Sequence, residues 1–387
     1  MRQGVERMTS PKVCMVSSTH DGFDDRIYWK EAISLKKAGY AVSHVFSGEK
    51  NRRWFSEEKI EMISIYEPNT YLRIRRIIEA ALKVAPDVYH LHDLKLHVMA
   101  HKFRYYHPSS KIISDVHEHY PDAIRDYSSR FKKLLNLLRA RIYDHREIKS
   151  LKYIDFVITA DDAVAARFRS VLGNNDVDII YNFTDMDLPY KNNYGGRKFD
   201  LVYCGGITKL RGVFQLLETI RIGKNDMPEI SLLLLGPVSN DLKREIINYL
   251  KKHNIYNNVY LVDRVPYKEV SNYLSQCKIG MVLLLPIPKY KKNIPIKLFE
   301  YMAHGLPVVG SDLPTIRRFV EGACSGILVD PLKPDEIYRA VKNLLTDTAL
   351  YNTFSYNGWK KIRNEWNWNA MEEKLLSLYD RLLSSSK

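Results

Sequence analysis

Three stretches of this sequence carry residue types suited to holding phosphate, and each stands where an apolar run gives way to an amphipathic one. The first is Val202-Tyr203-Cys204-Gly205-Gly206, continuing as ITKLRGVFQLLE. Glycines let a diphosphate approach the backbone, and a helix expected from about Gly212 presents free N–H groups at a positive dipole end. Arg211 adds a guanidinium that can grip phosphate through paired hydrogen bonds. A plain strand-to-helix turn with a solvated arginine is the competing reading.

The second stretch, NIPIKLFEYMAHG, runs from Asn293 to Gly305. Pro295 suits the first turn of a helix. The N–H groups of Ile296 and Lys297 can then face a phosphate, and Glu300, one turn on, can accept both hydroxyls of a ribose. A structural ion pair would use the same glutamate. The third stretch, SSTHDGFDDR, runs from Ser17 to Arg26. Gly22 gives the loop freedom, Asp24 or Asp25 caps the next helix, and Arg26 can reach a phosphate. No G-x-G-x-x-G fingerprint is present.

Histidines and carboxylates gather at two further strand ends. His90-Leu91-His92-Asp93 puts both imidazoles on one strand face, as a metal pair would. A buried strand is the plainer reading, so no metal is expected, and Asp93 suits a helix cap. The run from Asp115 to Asp122, DVHEHYPD, is denser. His117 can touch a sugar hydroxyl, and Glu118 can do likewise or hold an acceptor. Asp176-Val177-Asp178 and Asp185-Met186-Asp187 match a D-x-D metal pattern too short to weigh. The sequence has no G-x-S-x-G elbow, Walker loop or H-E-x-x-H.

The elements that must position these residues alternate along the chain. Strand-like runs fall at Lys12–Ser18, Ala41–Phe46, Val88–His92, Lys111–Val116 and Tyr153–Thr159. They resume at Phe199–Cys204, Ser231–Leu235, Val259–Val262, Ile279–Leu285, Pro307–Gly310 and Gly326–Val329. Amphipathic stretches such as Asp25–Ala38 and Tyr71–Val84 follow them. The pattern predicts an α/β chain of two Rossmann-like, doubly wound domains, with ligands at the carboxyl ends of the strands. The polar stretch Tyr190–Lys198 reads as the linker. The expected domains are 1–190, 191–365 and a terminal helix over 366–387.

With 387 residues, 45% hydrophobic and 27% charged, the chain has material for two cores. Its net charge of +14 favours anionic partners: nucleic acid, an anionic membrane face or phosphorylated small molecules. Basic residues interleaved with aromatics are missing, which argues against nucleic acid. The stretches Tyr71–Lys83 and Arg125–Ser150 are amphipathic and rich in Arg and Lys, so each can lie on an anionic membrane as readily as on a sheet. Cys14, Cys204, Cys277 and Cys324 are too scattered for a disulfide framework or a zinc site. The opening MRQGVERMTSPK has no apolar signal core, and no run approaches the roughly 20 apolar residues of a membrane span. The expected location is the cytoplasm, with peripheral contact to the inner face of the membrane.

Together the motifs resemble the family 4 glycosyltransferases, retaining enzymes of the GT-B fold. The likeness rests on DDRIYWKEAISLKKAGY, DVHEHYPD, YNFTD, YCGGITKLRGV, PIKLFEYMAHGLPVVGSD, CSGILVDP and WNWNAMEEKLLSLYDRLL. It implies a cleft between an acceptor-binding first domain and a donor-binding second domain. It further implies that Arg211 grips the donor diphosphate, Glu300 binds the ribose, Ile296 and Lys297 offer N–H groups, Val265 meets the base and His117 lies beside the transferred sugar. Two positions depart from the family pattern. Lys292 stands where the family's first glutamate falls, and Gly206 where its arginine falls. Lys291, Lys292 and Arg26 are the candidate replacement cations. The implied reaction moves a sugar from a UDP- or GDP-linked donor to a lipid-linked glycan acceptor in surface polysaccharide assembly, with no cofactor. A non-catalytic sugar-nucleotide binder and a sugar-nucleotide epimerase are the alternatives.

Overall fold

The structure is a computed structural model describing residues 10–117, 120, 133–173, 176–185, 188–190 and 194–384. Glu118, residues 125–132 of the basic stretch and the Met186-Asp187 pair lie outside the described residues. The chain forms two compact units, Met1–Asn182 with Trp368–Lys387, and Phe183–Asn367. The division precedes the polar stretch read as a linker. Phe183 explains this, because its ring packs edge-on to Phe299 at 4.7 Å, within the second unit.

The first unit is built on β1 (Lys12–Val16), β2 (Ala41–Ser47), β3 (Arg52–Phe55), β4 (Glu61–Ile65), β5 (Val88–Leu91), β6 (Lys111–Val116), β7 (Phe156–Thr159) and β8 (Val177–Ile179). Their order in the sheet is β3-β4-β2-β1-β5-β6-β7-β8. All neighbours are parallel except the β3–β4 pair. The central strands are buried on both faces because helices cover both, as parallel sheets require. β3, with the sequence RRWF, is a charged and largely exposed edge. Such charge discourages edge-to-edge pairing with other chains.

One face of this sheet is covered by Ile77, Ala81, Phe103 and Phe168. The other is covered by Ile27, Tyr28 and Leu35, together with Trp368, Leu375, Leu378 and Tyr379 of the terminal helix Trp368–Ser384. Trp368 donates its indole N–H to Ser34 Oγ at 2.9 Å. The first helix opens as a π-helix over Asp25–Ala32, capped by Asp24, whose carboxylate accepts from the N–H groups of Arg26 and Ile27 at 2.9 and 3.0 Å. The wider π turn places Arg26, Lys30 and Glu31 all inside the unit.

The second unit holds β9 (Phe199–Cys204), β10 (Leu232–Leu235), β11 (Val259–Val262), β12 (Cys277–Val282), β13 (Val308–Ser311) and β14 (Gly326–Val329). They form one parallel sheet in the order β11-β10-β9-β12-β13-β14. Leu201, Leu232, Leu234 and Met281 meet the helix residues Leu216, Ile220, Ile337 and Val341 in its core. The order runs outward from β9 in two directions, so the carboxyl ends of β9 and β12 mark the switch point where ligands bind in such sheets.

Candidate functional site

In the second unit, β9 ends at Cys204 and the chain turns through Gly205, at φ +117°. Only glycine holds that conformation at little cost. The Gly205 N–H still donates to Leu235 O at 2.8 Å, so the turn stays tied to the sheet. The Gly206 carbonyl accepts from Tyr203 Oη at 2.8 Å and from Arg211 Nη1 at 3.2 Å. Arg211 closes a short turn, Lys209–Arg211, capped by Thr208. Gly212 then takes φ +79° and leads into the helix Val213–Gly223. A Cβ on Gly212 would lie 2.0 Å from Leu283 O, so only glycine fits between these two segments.

The segment after β12 passes through the turn Lys289–Lys291 and enters the helix Lys297–Ala303. Pro295 lies just before this helix, not within it. The Lys297 amine stands 3.4 Å from the centre of the Tyr203 ring, buried and without a hydrogen-bond partner. A Cβ placed on Gly205 would lie 3.5 Å from Lys297 Nζ and 3.9 Å from Arg211 Nη1. Both basic side chains therefore flank the glycine pair. Burial, reinforced by the Arg211 charge, holds the Lys297 amine well below the usual lysine range. Glu300 is buried one turn along the same helix. Burial first, then the Glu300 charge, pushes the Cys204 thiol up to about 12. His304 ends the helix, its Nδ1 bonded to Glu300 O and its Nε2 to Ser271 Oγ, both at 2.8 Å.

The structure thus brings Gly205, Gly206, Arg211, Lys297 and Glu300 together. Ile296 directly precedes the helix, and its carbonyl accepts from the Phe299 N–H at 2.9 Å. Lys292 and Val265 lie on separate loops of the same unit, the latter partly buried between β11 and the helix Tyr267–Leu274.

The first unit holds a second polar group. Arg26 was expected to reach a phosphate; instead it is buried and fully engaged. Its Nε and Nη2 donate to Asp115 at 2.8 and 3.0 Å, its Nη1 donates to Ile180 O at 2.8 Å, and Glu31 lies 3.0 Å away. Asp93 does not cap the helix Leu94–Val98 with its side chain. Its carboxylate turns back to the loop after β1, accepting from the N–H groups of Ser18 and Thr19 and from the Thr19 hydroxyl. Gly22 is a packing position: a Cβ there would meet the Phe46 ring at 2.4 Å.

His117 is held by Asp115, with Nε2 and Oδ2 2.8 Å apart, and its ring lies edge-on to His20 at 5.1 Å. His92 Nδ1 is 3.4 Å from Asp115, and His90 Nδ1 is hydrogen-bonded to Tyr379 of the terminal helix at 2.8 Å. Burial acts to raise Asp115, but the Arg26 guanidinium and His117 outweigh it and hold this carboxyl well below the usual range. Burial and the Asp115 charge push Glu31 well above it. Burial holds His92 down to about 3 against the pull of Asp115. Glu31, His90, His92 and Asp115 offer ligand atoms within 4.8 Å of one another, a spacing that can take a cation. Arg26 supplies a cation to both carboxylates of this group.

Asp115, Glu31 and the Lys297 side chain were not picked out from sequence. Asp115 had a signal, because alternation along β6 puts it on the same face as His117. Glu31 had none, since its meeting with Arg26 depends on the π turn.

A family model described as Glycosyltransferase Family 4 matches residues 29–188, and one described as Glycosyl transferases group 1 matches residues 188–361. The chain belongs to the family 4, group 1 glycosyltransferases. The chain is 23% identical over 189 residues to the capsular polysaccharide biosynthesis glycosyltransferase CapM of Staphylococcus aureus, covering 49% of this chain and 48% of that protein. Across several curated relatives the match spans about half to two thirds of the relative's length. Sucrose-phosphate synthase from Thermosynechococcus elongatus shares the fold with a TM-score of 0.74 at 17% identity, covering 97% of this chain and 100% of that one. HepE of Anabaena, solved with UDP-glucose, gives 0.71 at 15% identity, covering 96% and 100%. The fold is the two-domain GT-B architecture. Among the described residues no helix is long and apolar enough to cross a membrane.

Proposed function

We propose that this glycosyltransferase takes a nucleotide-diphosphate sugar on its second unit and transfers the sugar, with retention of configuration, to a lipid-linked glycan in surface polysaccharide synthesis. The observation that carries the reading is the gathering of Gly205, Gly206, Arg211 and Glu300 at the carboxyl end of β9. Glycine backbone and a guanidinium suit the diphosphate, and a carboxylate suits the ribose. In this reading Arg211 and the backbone N–H groups carry the charge that develops on the leaving diphosphate, so the reaction needs no metal. The acceptor hydroxyl attacks on the face the diphosphate leaves, and the leaving phosphate takes its proton. His117, oriented by Asp115, is assigned to the transferred sugar.

UDP is the favoured nucleotide, because HepE shares the fold and was solved with UDP-glucose. The lipid-linked acceptor and a peripheral place on the membrane draw support from the helix Lys133–Ser150, which exposes Leu137, Leu138 and Ile142 beside Arg139 and Arg141. The test is transfer from UDP-sugars to a lipid-diphosphate glycan, with the anomeric configuration of the product read by NMR. An inverted product excludes the retaining mechanism. Sugar isomerisation without any acceptor would favour an epimerase instead.

A further inference from the structure

We propose that the Lys297 side chain is the second diphosphate-binding cation of this site, filling the role of the arginine that the family pattern places at Gly206. The inference rests on the reading that the second unit binds a nucleotide diphosphate. In sequence Lys297 offers only its backbone N–H, and Lys291, Lys292 and Arg26 stand as the replacement cations. Arg26 is excluded, since Asp115, Glu31 and Ile180 O already engage it.

Lys297 meets the requirement by position. Its amine is 3.5 Å from where a side chain at Gly205 would begin, and Arg211 is 3.2 Å from the corresponding point on Gly206. The two cations therefore bracket the peptide unit a diphosphate would approach. An arginine at Gly206 would begin within contact of Arg211, so a glycine there and a lysine from another element fit the same space. The amine is also poised for a ligand. It is buried, has no hydrogen-bond partner and lies against the face of Tyr203. A buried polar group without a partner is costly, and such groups in native structures call for an explanation. An anion arriving at Gly205 would give the amine its partner.

The groups facing Lys297 are Tyr203 and Cys204 from β9, Arg211 from the following turn, and Glu300 from its own helix. Arg211 opposes its charging, and Cys204 and Glu300 favour it, after burial, which dominates. A diphosphate adds two or more negative charges to this balance.

The experiment is calorimetric titration of wild type and Lys297→Met with uridine and UDP, and with guanosine and GDP, alongside thermal melts. Loss of a charge-assisted hydrogen bond should weaken diphosphate binding roughly 10- to 100-fold while leaving nucleoside affinity within about twofold. Melting should be unchanged or raised, because the variant removes a buried unpaired amine. Lys297→Gln gives the same test if methionine disturbs the packing. Diphosphate affinity retained in a folded variant would overturn this inference alone. A wild type that binds no nucleotide at all would overturn the donor-site reading and this inference with it.

Discussion

Arg26 and Asp115 stand 89 residues apart in sequence and meet through two parallel hydrogen bonds in the interior of the first unit. The pair joins the π-helical start of the first helix to the end of β6. Asp115 then passes the constraint to His117 and His92. An arginine that resembles a phosphate ligand in sequence is thus a fixed part of the frame that orients a histidine.

Asp115→Asn should be strongly destabilising. It leaves the buried Arg26 guanidinium with half its partner, and breaking such a pair costs about 3–5 kcal/mol. Denaturant unfolding of the variant would show this as a lower midpoint. An unchanged midpoint would mean that Glu31, 3.0 Å from Arg26, takes over the pairing.

Two glycines with positive φ should respond differently to alanine. Gly39, at φ +94°, has no atom within 4 Å of a Cβ position, so Gly39→Ala should cost only the backbone term, about 1–2 kcal/mol. Gly212→Ala adds a clash with Leu283 O at 2.0 Å and should cost clearly more. It should also weaken nucleotide binding, because the turn that carries Arg211 must shift. Thermal melts and a UDP titration on both variants check this.

Two buried histidines should each withdraw stability as the medium is acidified from pH 6.5 toward 4. His97 accepts from or donates to Ser114 Oγ at 2.6 Å and bonds Glu147 O at 3.0 Å, and burial holds it down to about 4. His304 is held down to about 4, again mainly by burial. The unfolded chain binds protons at both sites from about pH 6.5, whereas the folded chain does so only near 4. The unfolded state therefore holds more protons in this window and gains about 1.4 kcal/mol per pH unit from each histidine. Urea melts at pH 7 and pH 5 measure the loss, and His97→Gln should reduce it.

Nucleotide binding should take up a proton at Lys297. Burial favours the neutral amine in the free protein, and a bound diphosphate favours the ammonium. The complex then holds more protons than the free protein, and affinity rises as pH falls through the interval between the two values. Calorimetry in buffers of different ionisation heat should show uptake in wild type that is absent in Lys297→Met. Equal uptake in both would assign the proton elsewhere.

Much of the frame was legible because parallel strands leave short, mostly apolar runs bounded by turn residues, almost fully buried in Phe199–Cys204 and half-buried in Val259–Val262 and Gly326–Val329. Lys111–Val116, Phe199–Cys204, Val259–Val262 and Gly326–Val329 have the same limits in sequence pattern and in structure. β3 was missed because its RRWF sequence is a charged edge, β4 because its five residues open on the charged Glu61 and alternate only briefly, and β8 because it is three residues long. The glycine pair and Arg211 were legible as types that follow a strand, and Glu300 as a carboxylate on an otherwise apolar helix. The role of Arg26 was not, since its partners come from β6 and from a π turn that ordinary helical spacing does not anticipate. Nor was that of Lys297, whose side chain finds its place only when β9 and the segment after β12 pack together.

The most direct test of the donor site is calorimetric titration of the purified protein with UDP-, GDP-, dTDP- and ADP-sugars, with Glu300→Ala in parallel. The account predicts selective binding of a UDP- or GDP-sugar, and a loss of about 1.5–3 kcal/mol in Glu300→Ala as the ribose loses its charged acceptor. Absence of binding to every nucleotide sugar, or binding that Glu300→Ala leaves untouched, would contradict it.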